Sequence, residues 1–385
     1  MADGARDKIE ITIAPRLASV DATQWDALAN PAGGRRDPFV THAFLATLED
    51  AHCVGEDTGW EPCHLLAHEG KTLVGAMPLY AKHHSYGEYV FDHAWADAMR
   101  RAGGRYYPKL QCAVPFTPVT GPRIFAANEG VRDILIAGAK EAARKLQASS
   151  IHITFPTHDE WARAGELGYL QRTGVQFHWT NDGYGAFDDF LAALSSGKRK
   201  NIRKERTRAR EGVSILRLQG EAITPAYWDF FFRCYMDTGS RKWGSPYLNR
   251  TFFHLLGERM GGDCVMFVAE DEGRPIACAL NLVGSDTIYG RYWGCTREVP
   301  FLHFELCYYQ AIDYAIEHGL RLVEAGAQGE HKLLRGYAPV PTYSAHWIEH
   351  RGLRDAVAQF LSAEMPAVAH EIEALNDHTP FRKSE

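Results

Sequence analysis

From Glu324 to Arg335 the chain reads EAGAQGEHKLLR, which brings Glu324, Gln328, Glu330, His331, Lys332 and Arg335 into one short stretch. Such groups are costly to strip of water, so a cluster of them after an apolar strand lines a cleft more often than it fills a core. Acyl transfer to an amine needs an acceptor for the amine proton and donors for the oxyanion that develops on the carbonyl. Glu324, Glu330 and His331 are candidates for the base, and Lys332, Arg335 and Gln328 for holding a carboxylate or phosphate. His303 and Glu305, at the start of a helix on the facing side, complete the catalytic candidates. Each has a plainer alternative: His331 as an ordinary loop histidine, Glu324 as an ion-pair partner of Arg291, Glu305 as a carboxylate at the helix dipole. Arg291, Tyr292 and Trp293 are candidates for substrate contact, though aromatics on a strand also build cores. Lys242 and Trp243, after another helix, are weaker candidates of the same kind.

A second group is the basic run KRKNIRKERTRAR over 198–210. On a helix Arg199, Arg203, Arg206 and Arg210 form one stripe, widened by Lys198, Lys200 and Lys204. Guanidinium forks suit phosphate, so Lys198, Arg199, Arg203 and Arg206 are candidate contacts to a nucleotide-linked precursor or a tRNA backbone. The alternative is a solvated helix face. No aromatic residue interleaves the bases, which weakens the nucleic-acid reading.

The elements that must position these groups are a strand over 287–293, a helix over 304–318, a strand over 321–324 and the polar loop that follows. They recur in outline. Trp25-Asp26 is matched by Trp228-Asp229, the run from Gly70 to Ala76 by that from Gly273 to Ala279, and Tyr86-Gly87-Glu88-Tyr89 by Tyr289-Gly290-Arg291-Tyr292, all at one offset of 203. Gly168-Tyr169 and His178-Trp179 are matched by Gly336-Tyr337 and His346-Trp347 at an offset of 168. Matches in order at two offsets point to a duplication, with an insertion near 92–123 in the first copy. The expected domains are 9–181 and 184–360, followed by a C-terminal helix or tail over 361–385. Each copy reads as helices, a hairpin meander and a helix crossing between two later strands, an α/β (α+β) domain with a mixed, mainly antiparallel sheet flanked by helices. A helix over 131–147 with apolar residues at Ile134, Leu135, Ala139, Ala142 and Leu146 belongs to the first copy.

Composition bounds the remaining classes. A chain of 385 residues, 45% hydrophobic and 23% charged, is long enough for two cores. The net charge of -6 argues against a surface devoted to polyanions. Eight cysteines without a CxxC pair fit reduced thiols and give no metal-ligand spacing. There is no GxSxG, HExxH or GxxxxGK[ST] motif. The N-terminus lacks an apolar signal core and no run approaches the roughly 20 apolar residues of a membrane span, so the expectation is a cytoplasmic protein.

The phrases YYPKLQCAVPFTPVTGPR, KRKNIRKER, YGRYWG, FLHFELCYYQAI and EAGAQGEHKLLRGY make nearly the whole chain resemble the FemAB-like, peptidoglycan biosynthesis or recognition family of bacterial proteins. The resemblance implies two tandem GNAT-like domains related to ligases that add amino acids to peptidoglycan precursors from aminoacyl-tRNA. The sequence departs from acetyl-CoA-dependent GNAT enzymes, whose glycine-rich loop holds a pyrophosphate on backbone N–H groups. At that place stand Cys295 to Leu302 in one copy and Pro115 to Pro122 in the other, without the loop's paired glycines and with prolines that remove donors. The long helical arm of some tRNA-dependent relatives is also missing.

The expected function is therefore N-acyl or aminoacyl transfer to an amine, on a peptidoglycan precursor or another phosphate-bearing acceptor, at a site in the second domain near the cleft between the two. The donor stays open among acyl-CoA, an acyl carrier and aminoacyl-tRNA, with no metal expected. Two alternatives remain: a non-catalytic module that recognises a cell-wall precursor or acidic ligand, and an acetyl-CoA enzyme with an atypical cofactor loop.

Overall fold

The computed structural model describes residues 8–242, 246–326 and 329–382. The chain forms two compact units. One comprises the residues up to Gly174 with Thr342–Val368, the other Val175–Pro341 with Ala369–Glu385. The chain passes from one to the other inside the strands Leu170–Thr180 and Ala338–Ile348. Residues 175–181 of the expected first domain and 342–360 of the expected second thus pack away from their sequence neighbours.

In the second unit Ser214–Gln219, Cys264–Asp271, Arg274–Val283 and Thr287–Cys295 form an antiparallel meander. Glu272 and Gly273 both have positive φ, 49° and 73°, as a two-residue hairpin turn that follows the strand twist requires. The chain then runs through Leu302–Phe304, a π-helical turn over Glu305–Tyr309 and the helix Gln310–Glu317, and returns as Leu322–Glu324, parallel to Thr287–Cys295. Leu322–Glu324 pairs on its other edge with His178 to Thr180. The helix buries Leu306, Tyr309 and Ile312 against Phe267, Ile288 and Val323 of the sheet. This is a GNAT-like order, in which a helix crosses between the fourth meander strand and a parallel fifth.

The first unit has the same plan with differences. Ile9–Ala14, His64–Glu69, Thr72–Met77 and Phe125–Ala126 form one sheet. Pro78, which has no N–H to give to a ladder, separates Thr72–Met77 from Leu79–Lys82, which joins a second sheet with Trp60–Pro62 and Lys109–Cys112. Lys109–Cys112 runs parallel to Ser150–Thr154, which pairs with Ser344 to Ile348. The helix Glu129–Lys145, capped by Asn128, buries Val131, Leu135, Ile136, Ala139 and Ala142. Ile134 and Leu146, read from the sequence as part of its apolar stripe, are 37% and 39% exposed.

Most of the repeat matches occupy like places. Trp25 and Trp228 are buried helix residues, and Gly70 and Gly273 have positive φ in hairpin turns. Gly168 and Gly336 (φ 85° and 87°) each precede a buried tyrosine and a long strand carrying the His-Trp pair. One match does not hold. Tyr289–Tyr292 lies in a strand, whereas 86–89 is irregular, and Lys109–Cys112 from the expected insertion takes the parallel place beside Ser150–Thr154. Glu88 of that irregular segment is buried, with its carboxylate 2.7 Å from Lys109 Nζ, which also reaches Asp92 at 2.5 Å. The segment is held by this ion network, and a strand ladder plays no part in it.

Candidate active site

The site in the second unit begins where two strands part. Thr287–Cys295 and Leu322–Glu324 pair at only three positions, Thr287 with Leu322, Ile288 with Val323 and Tyr289 with Glu324. Beyond them the parallel ladder stops and a wedge opens between Gly290 and Ala325. On the other edge the register shifts between Leu280 and Asn281, which face Tyr292 and Gly290. Arg291 is the extra residue of a bulge, a device that re-aims side chains at the end of a ladder. The wedge is a cavity of about 100 Å³. Arg291, Tyr292 and Trp293 line it from the strand, Ala325 from the opposite side, and His303, Cys307 and Tyr308 from the helix beneath. The π-helical turn over Glu305–Tyr309 turns Cys307 and Tyr308 together toward this space, a common use of such turns.

The polar loop closes on the wedge. Tyr308 OH and His331 Nε2 are 2.8 Å apart. The His303 ring meets Trp293 and Tyr308 edge on, with centroids 5.3 and 5.5 Å away. Burial pushes the Tyr308 phenol up, so it stays protonated at neutral pH. Lys332 is 1% exposed, and its Nζ donates to Gly326 O at 2.5 Å, one residue past Ala325. It has no ion pair among the described residues, and burial lowers its pKa to about 8. A buried ammonium with no carboxylate partner is a mark of a functional site.

Other candidates are engaged in holding the unit together. Arg335 donates to His331 O at 2.8 Å and Glu205 Oε1 at 2.9 Å, and its guanidinium lies 3.4 Å above the Phe304 ring. Glu205, the lone acid within the bases of 198–206, also accepts from Tyr309 OH. Glu305 is fully buried and serves Arg206, Arg210 and Gln310, an arrangement that ties down both its oxygens and removes it from proton transfer. Arg206 is correspondingly withdrawn from phosphate. Burial lowers its pKa, but Asp313 and Glu305 more than offset this, and the net shift is upward. The rest of the helix Ser196–Ala209 is different: Arg203 pairs with Asp188 at the surface, while Lys200 and Lys204 are exposed and Lys198 and Arg199 half-buried. Glu324, 5% exposed, faces His178 across the ladder with Oε2 3.9 Å from His178 Nε2.

Gln328 and Trp243 lie outside the described residues, as do the side chains of Glu330 and Lys242. Sequence reasoning missed Asn281, Cys307 and Tyr308. Asn281 had a signal, a polar residue inside the apolar strand run ACALNLV; Cys307 and Tyr308 had none, because only the π-helical turn aims them at the wedge.

A family model for FemAB-like proteins, described as peptidoglycan biosynthesis/recognition, matches residues 16–383. The chain belongs to the FemAB-like family. Among solved structures this FemAB-like chain is similar to FemX, with 13% identity, 88% of this chain and 98% of that one covered, and a TM-score of 0.56. It is also similar to a conserved protein of unknown function from Bacteroides thetaiotaomicron VPI-5482 (11% identity, 88% and 99% covered, TM-score 0.54). The third is L-PGS from Bacillus licheniformis (12% identity, 86% and 99% covered, TM-score 0.52). At these identities the likeness is one of fold. No curated protein matches the sequence significantly. No helix among the described residues is long and apolar enough to cross a membrane.

Proposed function

We propose that this FemAB-like protein transfers an acyl or aminoacyl group to an amine, with the wedge of the second unit as the acyl site. The observation that carries the reading is Lys332, a buried ammonium with no ion pair among the described residues, whose Nζ donates to Gly326 O, one residue past the Ala325 that lines the cavity, together with the Tyr308–His331 pair, of which Tyr308 lines the same cavity. In this reading the acceptor amine attacks the carbonyl seated in the wedge, and the oxyanion that develops is stabilised by Lys332. The amine proton passes to Tyr308 as the phenol gives its own to His331; as the tetrahedral intermediate collapses, the C–O or C–S bond to the donor breaks and His331 returns the proton through Tyr308 to the departing alcohol or thiol. Arg291, Tyr292, Trp293 and His303 form the walls that orient the acyl chain. Glu324 acts through His178 and the strand end, as a group that fixes the wedge and not as the base.

The acceptor is a peptidoglycan precursor or another phosphate-bearing amine, in keeping with the family description. Lys198, Arg199, Lys200 and Lys204 are the bases left for a phosphate, whether of that precursor or of a tRNA donor. The donor is chosen by experiment: purified protein is incubated with a pentapeptide precursor and, in parallel, alanyl-tRNA, acetyl-CoA and an acyl carrier thioester. Transfer from one donor, lost in His331→Ala with an unchanged melting temperature, is the expected outcome. Binding of the precursor with no transfer from any donor would favour the non-catalytic module instead.

A further inference from the structure

From Glu305 to Gln310 every residue is buried except Cys307, which is half-buried. What it opens onto is the wedge, whose lining it shares with its neighbour Tyr308. Three other cysteines of the unit, Cys234, Cys264 and Cys278, are buried, and burial raises the thiols of Cys264 and Cys278. Those three pack as small apolar groups. Cys307 alone among the four has its sulfur at a cavity.

Two nearby groups give that placement a chemical sense. The first is Lys332, whose Nζ donates to Gly326 O, one residue past the Ala325 that lines the wedge. Burial lowers the pKa of this ammonium and a Cys307 thiolate raises it, so the two stand close enough to act on each other. The thiolate is the nucleophile of cysteine chemistry, and a neighbouring ammonium favours it. The second is Asn281, fully buried on the strand Arg274–Val283 and lining the same cavity. Its Nδ2 donates to Val265 O at 3.3 Å and Ala279 O at 3.4 Å, and its Oδ1 has no hydrogen-bond partner. A Cβ at Gly290, which also lines the wedge, would stand 3.4 Å from that oxygen. A buried acceptor left unpaired is destabilising, and its place here marks the wedge as the seat of a ligand that brings an N–H, as an attacking amine does.

We propose that Cys307 is a covalent nucleophile, whose sulfur takes the acyl group from the donor as a thioester and yields it to the acceptor amine. This rests on the reading of the wedge as the acyl site. In the first half of the reaction the sulfur attacks the donor's carbonyl and an S–C bond forms. The C–O or C–S bond to the donor breaks, and the thiol proton passes by way of the Tyr308–His331 pair to the departing alcohol or thiol. In the second half the amine attacks the thioester, the C–N bond forms, the C–S bond to Cys307 breaks and the amine proton restores the thiol. Nothing is oxidised or reduced, and no further reactant enters. Lys332 serves both halves, because each passes through an oxyanion on the same carbonyl. With the transfer split in two, the donor leaves before the acceptor arrives, and a cavity of about 100 Å³ need not hold both.

The test treats the full chain with S-phenyl thioacetate, quenches in acid, and locates the acetyl group by peptide mass spectrometry. Cys295, the other half-buried cysteine, is not among the residues lining the wedge and serves as the internal control. Acetylation of Cys307 is expected to be at least about 10²-fold faster than that of Cys295, the scale of one oxyanion donor. Neutral hydroxylamine is expected to release the group, as it does a thioester and does not an acetyl-lysine. Cys307→Ala is expected to lose both this modification and transfer, with an unchanged melting temperature. Cys307→Ser, which keeps the size of the side chain but is a weak nucleophile, serves if the alanine variant does not fold. Equal rates at the two cysteines, no acetylation of Cys307, or a product that resists hydroxylamine overturns the assignment. Transfer from one of the donors named above at the wild-type rate in the folded variant overturns it too, and leaves the transferase reading standing. Selective acetylation of Cys307 in a protein that transfers from none of those donors keeps the nucleophile and sinks the transferase reading.

Discussion

At the scale of single residues the chemistry rests on Lys332. Its pKa of about 8 lies below the ordinary lysine value because burial penalises the ammonium. The protonated fraction therefore falls as pH rises through about 8, and if the ammonium stabilises the oxyanion, kcat falls with it. Lys332→Met is expected to lower kcat by about 10²-fold or more, the effect of removing one oxyanion donor. Lys332→Arg keeps the charge at all accessible pH values, so the alkaline fall should disappear whatever activity remains. A pH–rate profile of the three proteins checks both; an alkaline limb unchanged in Lys332→Arg would remove Lys332 from the mechanism. The polarity of this residue was legible from the sequence. That it has no ion pair among the described residues was not, because that depends on what surrounds the ammonium after folding.

At the scale of elements the basic helix Ser196–Ala209 shows how a charge pattern divides. Its existence and its stripe follow from the sequence, but a stripe does not say what it faces. Arg206 is 14% exposed on its side chain and Glu305 0%, and Asp313 adds a second carboxylate. Removing one partner of a buried pair strands the other, which costs about 3–5 kcal/mol. Arg206→Met is expected to destabilise the protein on that scale in urea denaturation, with Lys200→Met, at an exposed position, close to neutral. If instead Lys200→Met weakens precursor or tRNA binding and shallows its salt dependence, the phosphate role belongs to the outer half of the helix. The helix expected over 304–318 forms over 302–317. Its π-helical turn was not legible, since one extra residue in a turn leaves the hydrophobic spacing almost unchanged.

At the scale of the whole molecule the chain exchanges strands between its units. Ser150–Thr154 pairs with Ser344 to Ile348, and Leu322–Glu324 with His178 to Thr180. The first unit's core includes Ala345 and Trp347 from the late strand. A fragment ending at residue 181, which a simple division into consecutive domains would treat as complete, lacks that strand. It is expected to fail to fold cooperatively, as judged by calorimetry, and to recover when a segment covering 342–368 is joined to it. Cooperative folding of the short fragment would show that the exchanged strand is dispensable.

The sequence by itself determined the family, the α/β class, the duplication and the polar stretch after Glu324, because apolar periodicity, glycine-bearing turns and long shared phrases are local signals. Only the tertiary structure decided which copies of a motif share a place, as 86–89 and Tyr289–Tyr292 do not. It decided that Glu305 and Arg206 pair with each other and Arg335 with Glu205, while Lys332 is left without an ion pair among the described residues. It also decided that Asn281 and Tyr308 meet His303 at a wedge. The reason is physical: ion pairing and burial depend on distances between residues far apart in the chain, and a wedge exists only where a parallel ladder stops after three pairs.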